Sequence, residues 1–306
     1  MKKLLIALAT VVGLSGCASS QLGYKPNLAN PEKSSLAMQV VSTVGGDRYF
    51  DDAKAPSGAL NDVGTAGYIG HTAMGFVFDT ALTGFFTGLL IDNKNFWHEE
   101  NVIVFLDANE ASKFKTQREV GQLAFDKVKS AYSPSILASL ERYFDIEPDR
   151  YGDSVDGVEE KWGIGDVYYH GYELQGENIF AQNTFDDKAF VGYAARLAYV
   201  SQPIPVTELG KQLQATIPFD SVVAVRLTSW HFGDTSYDLY ANPDWKLPEN
   251  TYLLTKERAV NGKKLRLPAV INEEQTYLFI KPQGGKQAIY RTADFAEATD
   301  WTKPNS

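Results

Sequence analysis

The pattern of apolar and polar residues predicts several strands in this chain. Residues 101–106 (NVIVFL) are rich in β-branched side chains, which favour extended backbone. Residues 221–230 alternate in the manner of a strand, with Val225 on one face and Arg226 on the other. Further strands are predicted at residues 166–174, 189–200, 251–255, 276–281 and 287–292, and a hairpin turn is predicted at Asn261-Gly262.

Helical spacing follows the first of these strands. Thr116 and Glu119 have the spacing of a capping box, in which each side chain bonds the backbone amide of the other residue. Apolar residues then recur every three or four positions as far as Ala131, and Pro134 is expected to end this helix. Short helices are also predicted at residues 136–144 and 207–216.

Residues 148–166 change this pattern, because acidic residues there alternate with glycines. We predict an exposed acidic loop and a subdomain boundary at this point. The fold class is therefore α+β, with helices and a strand in the N-terminal half and a largely antiparallel β-sheet in the C-terminal half. The predicted divisions are a leader at residues 1–16, a flexible tether at 17–35, a mixed α/β subdomain at 36–148 and a β-rich subdomain at 149–306.

The most unusual apolar stretch covers residues 64–91 and is dotted with glycines. Gly84 and Gly88 form a GxxxG pair, which lets two helix backbones approach closely in apolar surroundings. Three interpretations remain open: a buried core helix, a surface for self-association or for an envelope protein partner, and insertion into the membrane. Asp79 favours the buried helix, because a carboxylate is costly in lipid.

The first seventeen residues indicate where the protein works. Two lysines precede an apolar run at residues 4–14, and small residues follow at positions 15 and 16. This is the plan of a secretory signal peptide. The run is about half as long as a transmembrane helix needs to be. Directly after it stands Cys17, the single cysteine of the chain.

The sequence Leu14-Ser15-Gly16-Cys17 resembles the lipobox of bacterial lipoproteins. The resemblance implies cleavage before Cys17, a diacylglycerol on its thiol and an acyl chain such as palmitate on the new amino terminus. Two or three acyl chains make a durable membrane anchor, because each buried methylene contributes about 0.8 kcal/mol. Ala18 stands where an aspartate favours inner-membrane retention. The same resemblance therefore implies the outer membrane of a Gram-negative envelope, with the protein facing the periplasm.

The charge of the chain argues against nucleic acid as a partner. The full sequence has 29 basic and 38 acidic residues, and removal of the leader leaves 27 basic residues against the same 38. Such an acidic surface repels phosphate backbones. With its one cysteine lipidated, the folded part has no thiol for a disulfide, for catalysis or for a zinc site. We therefore predict no metal and no cofactor beyond the covalent acyl groups.

Candidate catalytic residues are few. His98 beside Glu99 has the chemistry of an acid–base or metal site, but a charged turn next to an aromatic pair explains the same residues. His170 and His231 fall in predicted strands, and on neighbouring strands they would line a pocket with Asp234 that suits proton transfer. On distant strands each is an ordinary sheet residue. The chain contains no HExxH motif, no GxSxG motif and no phosphate-binding loop.

These observations favour a lipid-anchored cell-envelope protein with a non-enzymatic binding or assembly role in the periplasm. One alternative is a periplasmic hydrolase that acts on cell-wall glycan or peptide, which requires two carboxyl groups about 5–10 Å apart in a deep pocket. The other alternative is a membrane-inserting component that acts through residues 64–91. The expected partners are the membrane itself and an envelope protein or a second copy of the chain.

Overall fold

The structure is a computed structural model that describes residues 22–54, 100–143, 151–159, 166–174, 184–185, 188–232, 247–255, 258–260, 263–265, 269–272 and 275–291. The described helices are α1 (Leu36–Ser42), α2 (Ala108–Ala111), α3 (Gln117–Tyr143) and α4 (Lys211–Gln214), with 3-10 helices at Gly46–Arg48 and Val206–Glu208. The described strands are β1 (Glu100–Asp107), β2 (Tyr151–Glu159), β3 (Val167–Leu174), β4 (Thr184–Phe185), β5 (Lys188–Val200), β6 (Ile204–Pro205), β7 (Ser221–Phe232), β8 (Thr251–Thr255), β9 (Arg258–Val260), β10 (Lys263–Leu265), β11 (Ala269–Ile271), β12 (Gln275–Leu278) and β13 (Ile289–Arg291).

One antiparallel sheet dominates the described part of the chain. Its strands follow the order β13-β12-β11-β8-β1-β7-β5-β3-β2, with β4 attached to β5 and β6 attached to β7. The hairpin of β9 and β10 forms a separate two-stranded sheet. Most of these strands come from the C-terminal part of the sequence. The predicted α+β class with a large antiparallel sheet is therefore confirmed in outline, although helices are a minor component among the described residues.

The first of the described strands, β1, lies in the middle of this sheet. β1 pairs with β7 on one side and with β8 on the other. Its five central side chains are fully buried and alternate between two hydrophobic clusters. Val102, Val104 and Leu106 belong to the first cluster, and Ile103 and Phe105 belong to the second. Both faces of the sheet are therefore covered along β1, and the strand predicted here is confirmed.

Helix α3 covers the first cluster. It begins with the predicted capping box, because the Glu119 amide donates to Thr116 Oγ1 and the Thr116 amide donates to Glu119 Oε2. Gly121 lies against Tyr168 of β3, and a Cβ at this glycine would overlap the tyrosine hydroxyl. The helix therefore approaches β3 closely at this glycine. The buried apolar residues of α3 that enter the cluster are Val120, Ala124, Phe125 and Val128.

Helix α1 lies on the opposite face and enters the second cluster. All of its seven residues are buried, and the side chain of Ser35 caps it by accepting a hydrogen bond from the Met38 amide at 3.0 Å. The Ser35 hydroxyl donates in turn to Asp52, whose pKa is raised by burial. The sequence pattern did not predict this helix, because seven residues give too little periodicity to separate a helix from a strand.

Two predicted features of the first half of the chain are wrong. Helix α3 continues through Pro134 to Tyr143, although a break was predicted at the proline. A proline removes one backbone donor, and helix-forming residues on both sides allow the helix to continue. The predicted acidic loop at residues 148–166 contains β2, which pairs with β3 along most of its length. Glycine and aspartate disfavour strands locally, so pairing with β3 overrides the composition here.

Predictions for the second half of the chain agree better with the structure. The strands β3, β5, β7, β8, β12 and β13 lie at the predicted places. The predicted helix at residues 207–216 is shorter than expected, since only Val206–Glu208 and α4 are helical. The turn Asn261-Gly262 lies outside the described residues, but Val260 and Lys263 on either side of it are paired, as a two-residue hairpin requires.

The start of the described chain is fixed to the end of β5. The Tyr24 amide donates to the Val200 carbonyl at 2.9 Å, and the Gln202 amide donates to the Tyr24 carbonyl at 2.9 Å. Gly23 has a φ of +152°, and a Cβ at this position would lie 2.5 Å from the Ser201 carbonyl oxygen. Glycine is therefore required for this approach. Residues 22–24, which belong to the predicted tether, lie against the folded body.

Candidate functional site

Most of the predicted site residues lie outside the described residues. These residues are Cys17, Gly84, Gly88, His98, Glu99 and Asp234. Of the two remaining histidines, His170 is described with its side chain, whereas the structure gives only the strand position of His231.

His170 and His231 lie on two strands that flank β5. His170 on β3 and His231 on β7 are both register partners of Tyr193 on β5. Residues directly opposite each other in antiparallel strands share one face, and two strand spacings amount to about 10 Å. The two histidines therefore belong to one row across the sheet, with Tyr193 between them. The Tyr193 ring stacks on Phe125 of α3, with ring centroids 5.7 Å apart, so packed aromatic rings fill the middle of the row.

His170 is buried, with 7% of its surface exposed. Asp156 of β2 is its register partner on the other side, and the Tyr172 ring meets the imidazole edge-on at 5.8 Å. Neither ring nitrogen has a hydrogen-bond partner among the described residues. Burial lowers the pKa of His170, the positive charge of Lys129 lowers it further, and Asp156 opposes both effects. The imidazole is therefore neutral at pH 7.

Lys129 joins α3 to the sheet beside this histidine. Its ammonium group donates to Asp156 on β2 and lies 3.1 Å from the carboxylate of Asp126. Partial burial disfavours the ammonium, but hydrogen bonds to the two carboxylates outweigh this effect, so the pKa of Lys129 is raised. The same hydrogen bond from Lys129 lowers the pKa of Asp156. Lys129 and Asp156 therefore stay charged at neutral pH, and the bond between them holds α3 against β2.

This cluster has the residue types of an acid–base site but lacks access for a substrate. A general base must come within about 2.6–3.2 Å of the proton that it removes. The His170 ring is enclosed, and Asp156 is already engaged by Lys129. Within the described residues, no group of three or more histidines, cysteines and carboxylates is arranged to hold a metal ion. The arrangement therefore contributes to packing and to the charge balance beneath α3.

A groove lies toward the other end of the sheet, beside β8, β11 and β12. Its volume is about 400 Å³. Three separate segments form its walls: the residues after α4, the turn that leads into β8, and the turn between β11 and β12. The lining residues are Thr216, Pro218, Pro248, Glu249, Asn250, Thr251, Tyr252, Asn272 and Gln275.

Hydrogen bonds fix the side chains on the β11–β12 wall of this groove. Asn272 Nδ2 donates to the Tyr277 hydroxyl at 2.9 Å, and this hydroxyl donates to Gln275 Oε1 at 2.9 Å. The Gln275 amide donates to Asn272 Oδ1 at 2.7 Å, which closes the network. Side chains held in this way lose little conformational entropy when a ligand binds.

The wall formed by the turn into β8 is tied to the central strand. Asn250 has a φ of 58°, and its carbonyl accepts a hydrogen bond from the Phe105 amide of β1 at 2.9 Å. The next residue, Thr251, is 1% exposed, and its hydroxyl has no hydrogen-bond partner in the described part of the chain. An unpaired buried hydroxyl costs about 1–3 kcal/mol. Thr251 is the register partner of Val104 in the first cluster, whereas Tyr252 belongs to the second, so the Thr251 hydroxyl lies on the opposite face of the sheet from the Tyr252 ring.

Sequence reasoning missed this groove because its walls come from residues far apart in the chain. Thr216, Glu249 and Asn272 belong to three segments that only the strand order brings together. The one local signal was the Pro248–Asn250 turn, and a turn of this composition is common in loops of every function.

No protein-family model, no curated protein and no solved structure matches this chain. None of the helices in the described part of the sequence has both the length and the apolar character that a membrane crossing needs.

The buried imidazole of His170 makes stability depend on pH. In the unfolded chain a histidine takes up a proton near its ordinary pKa of 6.5, whereas burial keeps His170 neutral in the folded state to lower pH. Stability is therefore fully present above about pH 6.5 and falls as the pH drops toward the lowered pKa. Each unit of that lowering corresponds to about 1.4 kcal/mol.

We expect His170→Gln to flatten this pH dependence. Urea unfolding of the wild type and of the variant at pH 7 and pH 5 measures the difference, and the wild type should lose more free energy of unfolding between the two values. Lys113→Gln, at an exposed site, serves as the control and should follow the wild type. An equal loss in His170→Gln and wild type would contradict the interpretation of His170 as a buried neutral group.

Proposed function

We propose that this protein is a lipid-anchored envelope protein with a periplasmic binding role, and that the groove beside β8, β11 and β12 is its ligand site. The observation that carries the binding role is the groove wall at the β11–β12 turn, where hydrogen bonds hold the side chains of Asn272 and Gln275 in place. The observation that carries the location is the lipobox-like sequence ending in Cys17. The outer membrane and the periplasmic orientation follow from the same resemblance through Ala18.

The chemistry of the groove favours a neutral polar ligand. Its described lining includes the amide residues Asn250, Asn272 and Gln275 and the hydroxyl residue Thr216, together with a single carboxylate, Glu249. Amide and hydroxyl groups pair with the polar groups of a polypeptide backbone or of a glycan. Pro218 and Pro248 supply apolar surface that such a ligand also needs. We therefore propose cell-envelope peptide or glycan as the ligand class.

The alternative of a cell-wall hydrolase has less support. Glycan hydrolysis uses a pair of carboxyl groups about 5–10 Å apart, and the described lining of the groove contains only Glu249. Membrane insertion through residues 64–91 concerns residues outside the described part of the chain, and it remains a prediction. The same holds for self-association through Gly84 and Gly88.

The proposal also includes the predicted division of the chain into a leader and two subdomains. We keep a leader at residues 1–16 and place the functional groove in the β-rich part at 149–306, which supplies every lining residue. The mixed part at 36–148 supplies β1, whose backbone supports the groove turn. We therefore propose that the two parts act together in binding.

Replacing Cys17 tests the location. We expect Cys17→Ser to abolish acylation, so that the precursor keeps its leader and the protein no longer fractionates with the outer membrane. Mass spectrometry of the purified protein and sucrose-gradient fractionation of envelopes measure both effects. Ser19→Ala, two residues further on, is the matched control and should be acylated and fractionate normally. An unchanged mass and unchanged fractionation in Cys17→Ser would refute the lipid anchor.

In-cell photocrosslinking tests the groove. We expect a photoreactive amino acid at position 249 to form a discrete adduct, whereas the same amino acid at Ser154 on β2 should form none. Digestion of the adduct with a protease or with a muramidase distinguishes a peptide ligand from a glycan. Identical patterns at the two positions would count against a site in the groove.

Thr251→Val tests the buried hydroxyl separately, because it removes the unpaired group and keeps the shape of the side chain. The free energy of unfolding should stay constant or rise by about 1 kcal/mol, and the adduct at position 249 should persist, since the hydroxyl lies on the other face of the sheet. Thr228→Val is the matched control, since the Thr228 hydroxyl donates to Asn101 Oδ1 at 3.2 Å. It should cost about 0.5–1.5 kcal/mol and leave the adduct intact. A loss of stability in Thr251→Val would contradict the interpretation of this hydroxyl as an unpaired buried group.

A further inference from the structure

Two tyrosines expose unusually large surfaces on one face of the molecule. Tyr24 is 60% exposed and Tyr49 is 39% exposed. Among the described residues, these two are the large hydrophobic side chains that are exposed. The Tyr24 ring packs against Tyr199 of β5, with centroids 5.5 Å apart, and Gly45 contacts the Tyr199 ring from the adjoining turn. Arg226 of β7 interacts electrostatically with both Tyr49 and Tyr199. These aromatic rings therefore form one patch.

The charge near this aromatic patch is opposite in sign to that of the whole protein. The chain carries a net charge of −9, yet Lys25 and Arg48 are exposed within the patch and Arg226 lies beneath it. The carboxylate of Asp47 interacts with Tyr199 and accepts a hydrogen bond from Asn27 Nδ2 at 2.7 Å. The patch therefore combines tyrosines with a local excess of positive charge.

The chain length places this patch close to the proposed anchor. Gly23 is held against Ser201, and six residue steps separate it from Cys17. Six residues span at most about 20 Å when fully extended. Tyr24 follows Gly23 directly, so the exposed ring cannot move far from the acylated sulfur. A tether of this length holds the face around Tyr24 toward the lipid.

We propose that this face, defined by Tyr24, Lys25, Arg48, Tyr49 and Tyr199, lies on the anionic surface of the membrane in which Cys17 is anchored. The inference rests on the proposed lipid anchor and adds an orientation to it. Tyrosines favour the boundary between lipid and water, where the ring contacts the lipid and the hydroxyl stays hydrated. Lysine and arginine beside them are attracted to anionic headgroups. The groove on β8, β11 and β12 then has a fixed orientation toward the periplasm.

Lipid-borne quenching tests this orientation in the full acylated protein. The protein is extracted from envelopes and reconstituted in vesicles of phosphatidylethanolamine and phosphatidylglycerol that contain a nitroxide-labelled lipid. An environment-sensitive fluorophore is attached through Tyr49→Cys or, as the control, through Ser154→Cys at the far end of the sheet. We expect the label at position 49 to lose emission to the lipid quencher and the label at position 154 to keep it.

A charge variant adds a second readout. Lys25→Gln combined with Arg48→Gln should reduce the quenching at position 49, and the reduction should be larger in vesicles rich in phosphatidylglycerol than in phosphatidylcholine vesicles. Lys113→Gln combined with Lys115→Gln changes the net charge equally and should leave the quenching unchanged.

The outcomes separate this inference from the proposal on which it rests. An acylated protein whose label at position 49 is not quenched would overturn the membrane-facing surface and leave the anchor in place. If the emission of the label at position 49 shows that it is shielded from water but not quenched by the nitroxide-labelled lipid, a protein partner or a second copy covers this face. That result would also overturn the inference. A protein without acyl mass would overturn the anchor and the orientation together.

Discussion

Burial of both faces of β1 is the constraint on which the rest of the structure depends. The side chains from Val102 to Leu106 are removed from water, alternately into the cluster beneath α3 and into the cluster beneath α1. Burial of one such side chain contributes about 1.5–3 kcal/mol, so this strand alone contributes, in gross terms, as much as the roughly 5–15 kcal/mol by which a domain is stable. Because side chains on a strand alternate, a shift of one residue would exchange the two faces. The register with β7 and β8 is therefore strongly specified.

Both proposed functional surfaces are built outward from this central strand. The Phe105 amide of β1 fixes the Asn250 carbonyl in the groove turn, and Tyr252 of the groove belongs to the second cluster together with Phe105. On the other side of β1, β5 carries Tyr199 of the aromatic patch, and β7 carries Arg226 beneath it. Tyr199 packs against the same second cluster, and β5 lies three strand spacings from β8, or about 14 Å. A rigid sheet therefore links the proposed membrane-facing surface to the proposed ligand site.

The sequence predicted the helices and strands that are determined by residues close together in the chain. β-branched residues identified β1, alternation identified β7, and the Thr116–Glu119 spacing identified the start of α3. β2 was missed because its glycines and aspartates disfavour a strand, and its stability comes from pairing with β3 and from the bond between Lys129 and Asp156. His170 and His231 were expected either on neighbouring or on distant strands, and β5 separates them. The groove could not be predicted, since it exists only after the strand order has brought three distant segments together.

The most direct test of the central role of β1 is native-state hydrogen exchange measured residue by residue. If the two-faced burial of β1 holds the sheet together, the amides of Val102, Val104 and Leu106 should exchange only through global unfolding, with the same free energy as the most protected amides of β7. Amides of β2, at the end of the sheet, should exchange through smaller openings. Exchange of β1 at a lower free energy than β7 would show that the sheet is stable without its central strand, and it would contradict this account.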